Sequence, residues 1–314
     1  MNFTRFALFT ALAFSSAAAA SARSYAAYKG AIVIDAASGR VLFEDNADAV
    51  SPPASMTKLM TFAVLNDRIR AGALSLQTRV VIVPADQRAA PSIIDLKPRE
   101  VFPIVELVYA MMLHSANDAA LAVAREVGGS VPGFVRLMNE KARALGMNHT
   151  TFRSPNGLPP PSRRISDGDL TTPRDFAILC RYLVLNTDIL RYTSVKNRLF
   201  GVNSRFPPTP MLNHNHLLGR IQGVDGLKTG YTAAAGSCLS ATALRNGRRI
   251  IVVMMDSPDA KSRDLRVAEL IDRGFATAAI IQSVRPVDRP TRPATAAATP
   301  ADPSEPVIRF VVPR

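Results

Sequence analysis

A serine hydroxyl is a poor nucleophile until a neighbouring base takes its proton, and a lysine three residues further along a helix shares its face. Ser55-Met56-Thr57-Lys58 has that spacing. Lys58 can serve as the base only when neutral, which requires burial and a positive neighbour, and Lys228 is the candidate for that neighbour. Two other short sets carry groups suited to a cleft. Ser115-Ala116-Asn117 offers a hydroxyl and a carboxamide that can hydrogen-bond a substrate amide. Lys228-Thr229-Gly230 offers an ammonium and a hydroxyl for a carboxylate, with Gly230 leaving room for a ligand to lie close to the backbone. Each set alone has a bland reading: a helix cap followed by a solvated lysine, an ordinary helix N-cap, and a common surface tripeptide.

The elements that must position these groups are legible from periodicity. Apolar runs over 31–35 and 41–44 flank Ala36-Ala37-Ser38-Gly39 and read as two strands around a turn. From Ser55 to about Ala73, Leu59, Phe62, Ala63 and Ile69 recur at helical spacing with Gly72 as a stop, so Ser55 is expected at a helix N-terminus. Helical patterns over 104–114, 117–127, 132–145 and 172–185 predict an all-helical middle. Strand patterns return over 226–231, 237–244 and 249–254, the last two joined through Asn246-Gly247, before an amphipathic helix over 259–277. Two-stranded ribbons are marginal in water, so the N-terminal strands must join the C-terminal ones. The expected fold is α/β (α+β), an antiparallel sheet of N- and C-terminal strands with a large helical insertion.

Composition sets the class. The 314 residues are 47% hydrophobic and 20% charged, with a mean hydropathy of +0.09, as in a folded soluble protein. Arg5, the uncharged run from Phe6 to about Ala20, and Ala20-Ser21-Ala22 read as a signal peptide over 1–22, cleaved near Ala22, so the chain is expected to be exported to the periplasm or secreted. The catalytic domain is expected over 23–277 and a disordered Pro/Ala-rich tail over 278–314. Cys180 and Cys238 allow one disulfide but no disulfide framework, and two buried free thiols are the favoured reading. The net charge of +13 points to loose attraction to an anionic wall or membrane surface. The basic residues are scattered without a nucleic-acid motif, so no nucleic-acid partner is expected.

In that order, on an early helix, in a helical insert and on a late strand, the three sets rarely coincide by chance. The stretches 53–61, 114–120 and 224–232 closely resemble the low-molecular-mass penicillin-binding proteins that are serine-type D-alanyl-D-alanine carboxypeptidases, and the resemblance covers about 27–275. It extends to Asp35-Ala36-Ala37-Ser38-Gly39-Arg40-Val41-Leu42, Leu145-Gly146-Met147 and Ser154-Pro155-Asn156-Gly157-Leu158, landmarks outside the catalytic sets. The resemblance implies a β-lactamase/transpeptidase-like fold and removal of the terminal D-alanine from peptidoglycan stem pentapeptides through an acyl-enzyme on Ser55, which penicillin and other β-lactams also acylate. It implies Ser55, Lys58 and Ser115 as catalytic residues, Asn117, Lys228, Thr229 and Gly230 as substrate-binding residues, and no metal or cofactor. The C-terminal β-rich domain and terminal amphipathic helix of many such proteins have no counterpart in the sequence pattern, and Val307-Ile308-Arg309-Phe310-Val311-Val312 is too short for either.

Rival readings are weaker. A class A β-lactamase needs a glutamate for its deacylating water, and no glutamate lies between Glu140 and Glu269. A Ser-His-Asp hydrolase needs a histidine base, yet His114, His149, His214 and His216 accompany no G-x-S-x-G elbow. His214 and His216, flanking Asn215, are too few for a metal centre and are expected at the surface near the cleft. A non-catalytic penicillin- or wall-binding module needs a broken motif, and all three are intact. A DD-endopeptidase that cuts cross-links uses the same residues and stays open as the alternative.

Overall fold

The computed structural model describes residues 28–283 except 88 and 90. β1 (Gly30–Asp35) and β2 (Val41–Asp45) come first, then a 3₁₀ turn (Ala54–Thr57) that leads into α1 (Lys58–Arg70). The middle holds β3 (Arg79–Val81), β4 (Val101–Pro103), α2 (Ile104–Leu113), α3 (Asn117–Gly128), α4 (Val131–Leu145), α5 (Pro173–Asn186), α6 (Leu190–Thr193), β5 (Asn197–Phe200) and β6 (Thr209–Leu212). β7 (Val224–Thr232), β8 (Gly236–Arg245), β9 (Arg248–Ser257) and α7 (Ala260–Ser283) complete the chain.

The five-stranded antiparallel sheet runs β2-β1-β9-β8-β7, so the first strands do close onto the last. Alternate residues of β1 and β9 face opposite layers: Ile32, Ile34, Ile251 and Val253 join the core of the helical insert, while Ala31, Val33, Ile250 and Val252 pack with Val267, Leu270 and Ile271 of α7. Burial on both faces explains why these strands read as continuous apolar runs. Asn246 and Gly247 both take positive φ, 49° and 76°, as a two-residue turn between β8 and β9 requires. Cys180 and Cys238 are buried and unpaired, and burial pushes both thiols up to about 12.

Three sequence expectations need correction. The insert is not all-helical, because β3 pairs with β4 and β5 with β6. Strands of three or four residues are too short to show alternation, and these ribbons are held by side-chain contact instead, with the Phe102 and Phe200 rings 4.7 Å apart. Ser55 lies within the 3₁₀ turn that precedes α1, not in the α-helix itself. The last helix continues past Thr277 to Ser283, with Ala278 buried against the protein. The expected signal peptide over 1–22 and residues 284–314 of the expected tail lie outside the described residues.

Candidate active site

The 3₁₀ turn determines how Ser55 meets Lys58. With three residues per turn, positions i and i+3 stack on one side, and the Ser55 Oγ lies 3.0 Å from Lys58 Nζ. Lys58, the first residue of α1, is 0% exposed. Its nitrogen also donates to Asn117 Oδ1 at 2.6 Å and to the Asn156 carbonyl at 2.8 Å. Both of these partners are acceptor oxygens that demand an N–H, whereas the serine hydroxyl can either donate or accept. A neutral amine has two N–H groups and one lone pair, so the site supplies one partner for each and directs the lone pair at the Ser55 hydroxyl. Burial is the main cause holding the Lys58 pKa well below the ordinary lysine value, and the positive charge of Lys228 adds to it against the opposing pull of Asp169 and Asp118.

The facing wall comes from the α2–α3 junction and the edge strand. Ser115 sits between the two helices with φ +61°, a left-handed conformation that turns its side chain toward β7. Its Oγ accepts from Lys228 Nζ at 3.1 Å, and Lys228 Nζ also donates to the Thr229 carbonyl at 3.1 Å. Burial, with Arg263 nearby, lowers the Lys228 pKa to about 7. Asn117 is held at both ends, by Lys58 on its oxygen and by its Nδ2 donating to the Pro91 carbonyl at 2.5 Å. Asp118 steadies the same segment by accepting from the backbone N–H groups of Ile94 and Leu96.

Three oxygens thus gather around Lys58, from Ser55, Asn117 and Asn156, and two around Lys228, from Ser115 and the Thr229 carbonyl. Thr229 and Gly230 follow Lys228 along β7. Gly230 has a further purpose beside the expected one. A Cβ there would lie 2.6 Å from the Pro53 carbonyl oxygen and 3.2 Å from the Ser55 nitrogen, so the nucleophile turn occupies the space a side chain would fill. Glycine lets β7 press directly against Ser55. Among the histidines, His214 keeps an exposed face while neighbours crowd its other side, its ring 5.9 Å from that of His114, and this crowding and then Lys228 lower its pKa. His216 Nδ1 lies 3.3 Å from Asp264 Oδ2.

The segment Ser154-Pro155-Asn156-Gly157 is a functional element that residue types alone did not reveal. The Asn156 carbonyl holds Lys58, the Pro155 carbonyl accepts from Thr61 Oγ1 at 2.5 Å, and Gly157, at φ +82°, packs so closely on Ala54 that a Cβ would sit 1.9 Å from the Ala54 carbonyl oxygen. Two of these contacts are backbone carbonyls, which carry no residue signature. The resemblance marks this stretch as a landmark without a role, and the residues themselves signal only a turn.

Comparison with known proteins gives a consistent picture. A family model described as D-alanyl-D-alanine carboxypeptidase matches residues 16–259. The chain is 31% identical over 248 residues to a Bacillus subtilis D-alanyl-D-alanine carboxypeptidase (DacF), covering 79% of this chain and 62% of that one. It is 34% identical over 263 residues to Escherichia coli DacC, covering 81% and 63%. The chain therefore spans somewhat under two thirds of these relatives' length. Among solved structures, a Francisella tularensis D-alanyl-D-alanine carboxypeptidase (DacD) aligns with a TM-score of 0.74 at 28% identity, covering 79% of this chain and 70% of that one. Ampicillin-bound penicillin-binding protein D2 of Listeria monocytogenes aligns with a TM-score of 0.70 at 32% identity, covering 80% and 98%.

Proposed function

The chain belongs to the D-alanyl-D-alanine carboxypeptidase family, and from that premise we propose that it removes the terminal D-alanine of peptidoglycan stem pentapeptides. The observation that carries this reading is the geometry at Lys58, whose buried nitrogen lies 3.0 Å from the Ser55 hydroxyl while it donates to the acceptor oxygens of Asn117 and Asn156, an arrangement that in the neutral amine leaves the lone pair for Ser55. Lys58 removes the Ser55 proton as Oγ attacks the carbonyl carbon of the penultimate D-alanine. The backbone N–H of Ser55 and one from the adjoining 229–231 stretch of β7 stabilise the oxyanion, and the tight approach of Gly230 supports that pairing. Ser115 gives its proton to the departing amine as the C–N bond breaks and takes one back from the Lys58 ammonium, so D-alanine leaves and Lys58 is neutral again. Water then cleaves the ester and restores the Ser55 hydroxyl. Asn117, whose Nδ2 keeps a second hydrogen beyond its bond to Pro91, orients the substrate amide. Lys228 and Thr229 hold the terminal carboxylate.

β-Lactams acylate Ser55 in the same way, a reading supported by the similarity to the ampicillin-bound Listeria protein. The chain acts outside the cytoplasm as an exported enzyme whose leader is cleaved near Ala22 and whose catalytic unit begins after it. Its net charge of +13 draws it loosely to anionic wall or membrane surfaces, an attraction that salt weakens. No described helix is long and apolar enough to cross a membrane.

The deciding experiment offers purified enzyme monomeric pentapeptide muropeptides and cross-linked dimers side by side. Rapid loss of D-alanine from the monomer with intact dimers is expected. Dimer cleavage with untouched pentapeptide would overturn the carboxypeptidase reading in favour of a DD-endopeptidase.

A further inference from the structure

The geometry points to Asp169 as a positioning residue for the Ser55–Lys58 pair, acting from behind the site through Thr57 and the 153–157 loop. Asp169 is 4% exposed, and four donors converge on its carboxylate. The backbone N–H groups of Arg153 and Ser154 reach Oδ1 at 2.6 and 2.9 Å, and the hydroxyls of Ser154 and Thr57 reach Oδ2 at 2.9 Å each. Burial pushes the Asp169 pKa up, and this shell opposes it: two N–H groups that can only donate on one oxygen and two hydroxyls on the other suit an ionised carboxylate.

What these bonds hold explains why the residue matters to the chemistry. Thr57 is the residue immediately before Lys58, inside the turn that presents Ser55. Ser154 in turn accepts from the Gly157 N–H at 2.8 Å, which closes the loop whose Asn156 carbonyl orients Lys58 and whose Gly157 braces Ala54. One carboxylate thus ties together the strand of chain carrying nucleophile and base and the loop that aims the base. Its own position is fixed by paired backbone hydrogen bonds on the residues that follow it, Leu170 with Thr151 and Thr171 with Ser51. The segment bearing Asp169 is therefore anchored both to the approach to Ser55 and to the approach to the loop.

Asp169 also acts on Lys58 as a charge. The charged groups that bear on Lys58 are Lys228, which favours the neutral amine, and Asp169 and Asp118, which favour the ammonium. Removing the Asp169 charge therefore lowers the Lys58 pKa, and the acid limb of acylation, which follows deprotonation of Lys58, moves to lower pH. A merely structural aspartate would alter stability without moving that limb.

This inference rests on the reading that Lys58 activates Ser55, and the test separates the two. Acylation by a fluorescent penicillin is measured as a rate across pH for the full chain, with circular dichroism to verify folding. Displacement of a catalytic group by about 1 Å costs on the order of 100-fold, so Asp169→Ala should slow acylation by about that factor. Asp169→Asn should retain more of the rate while shifting the acid limb to lower pH. Thr57→Val, which removes one arm of the clamp at nearly constant volume, should slow acylation as well, and Thr57→Ser should recover most of that loss. If the Asp169 variants do not fold, the Thr57 pair decides the question alone. A folded Asp169 variant with the wild-type rate, an Asp169→Asn loss with an unmoved acid limb, or Thr57→Val indistinguishable from wild type would overturn the inference. A wild-type protein that is not acylated at Ser55 would instead overturn the function proposed above.

Discussion

Lys58 and Lys228 are the same residue type, both buried and both with lowered pKa, yet the protein has completed the surroundings of one and left the other open. Lys58 is enclosed by three oxygens from three separate parts of the chain, Ser55, Asn117 and Asn156. Lys228 has a serine hydroxyl and the carbonyl of the next residue, on an edge strand that pairs with no further strand on its outer side among the described residues. A closed shell fixes one proton state and one direction for a lone pair, as a base requires. Two neutral oxygens supply no counter-charge, which suits the carboxylate-binding role proposed for Lys228. Burial alone therefore does not distinguish base from anchor. The number and kind of partners does.

The comparison breaks most visibly if Lys58 is removed. Lys58→Ala should lower the rate of acylation by roughly 10³- to 10⁴-fold while leaving reversible binding of substrate far less affected, as expected when a nucleophile's activator is lost. Rapid-quench measurements with penicillin would check this, and near-normal acylation would show that another group takes the Ser55 proton. Lys228→Gln should have a smaller and more selective effect. A charge-assisted hydrogen bond is worth about 1.5–3 kcal/mol, so kcat/KM for peptides ending in a free carboxylate should fall roughly 10- to 100-fold, with C-terminally amidated analogues largely spared. Equal losses on both would make Lys228 a structural residue.

A further effect is on stability and not on rate. With a folded pKa of about 7 against an ordinary value of 10.5, Lys228 binds its proton more readily in the unfolded chain, so its burial costs stability fully below about pH 7 and progressively less as pH rises toward 10.5. Lys228→Met should accordingly unfold later than wild type by a few kcal/mol near pH 6, with the advantage shrinking toward pH 10. Denaturant titrations at both pH values measure the difference, and a gap independent of pH would contradict the open-shell account.

Much of this site was readable in the sequence because its chemistry resides in side chains with short-range spacing. Ser55 and Lys58 announce themselves three residues apart, and Lys228-Thr229-Gly230 sits inside an apolar strand pattern. The closure of β1 onto β9 followed from the weakness of an isolated ribbon. What stayed hidden depends on contacts made across the fold. Nothing at Asn156 signals that its backbone carbonyl faces a lysine 98 residues away. Nothing at Gly230 signals the close approach of the Pro53 carbonyl, which lies far off in the sequence. The short ribbons β3–β4 and β5–β6 were missed for a different reason, since three or four residues hold too little alternation to stand out from their helical surroundings.

The central claim is that Ser55, presented by its 3₁₀ turn to a closed Lys58, is the atom that becomes acylated. Incubating the protein with penicillin, digesting it and locating the added mass by tandem mass spectrometry tests this directly. The account predicts one penicilloyl group on the peptide carrying Ser55 and none on Ser55→Ala protein treated in parallel. Label on any other residue, or label that persists in Ser55→Ala, would contradict it.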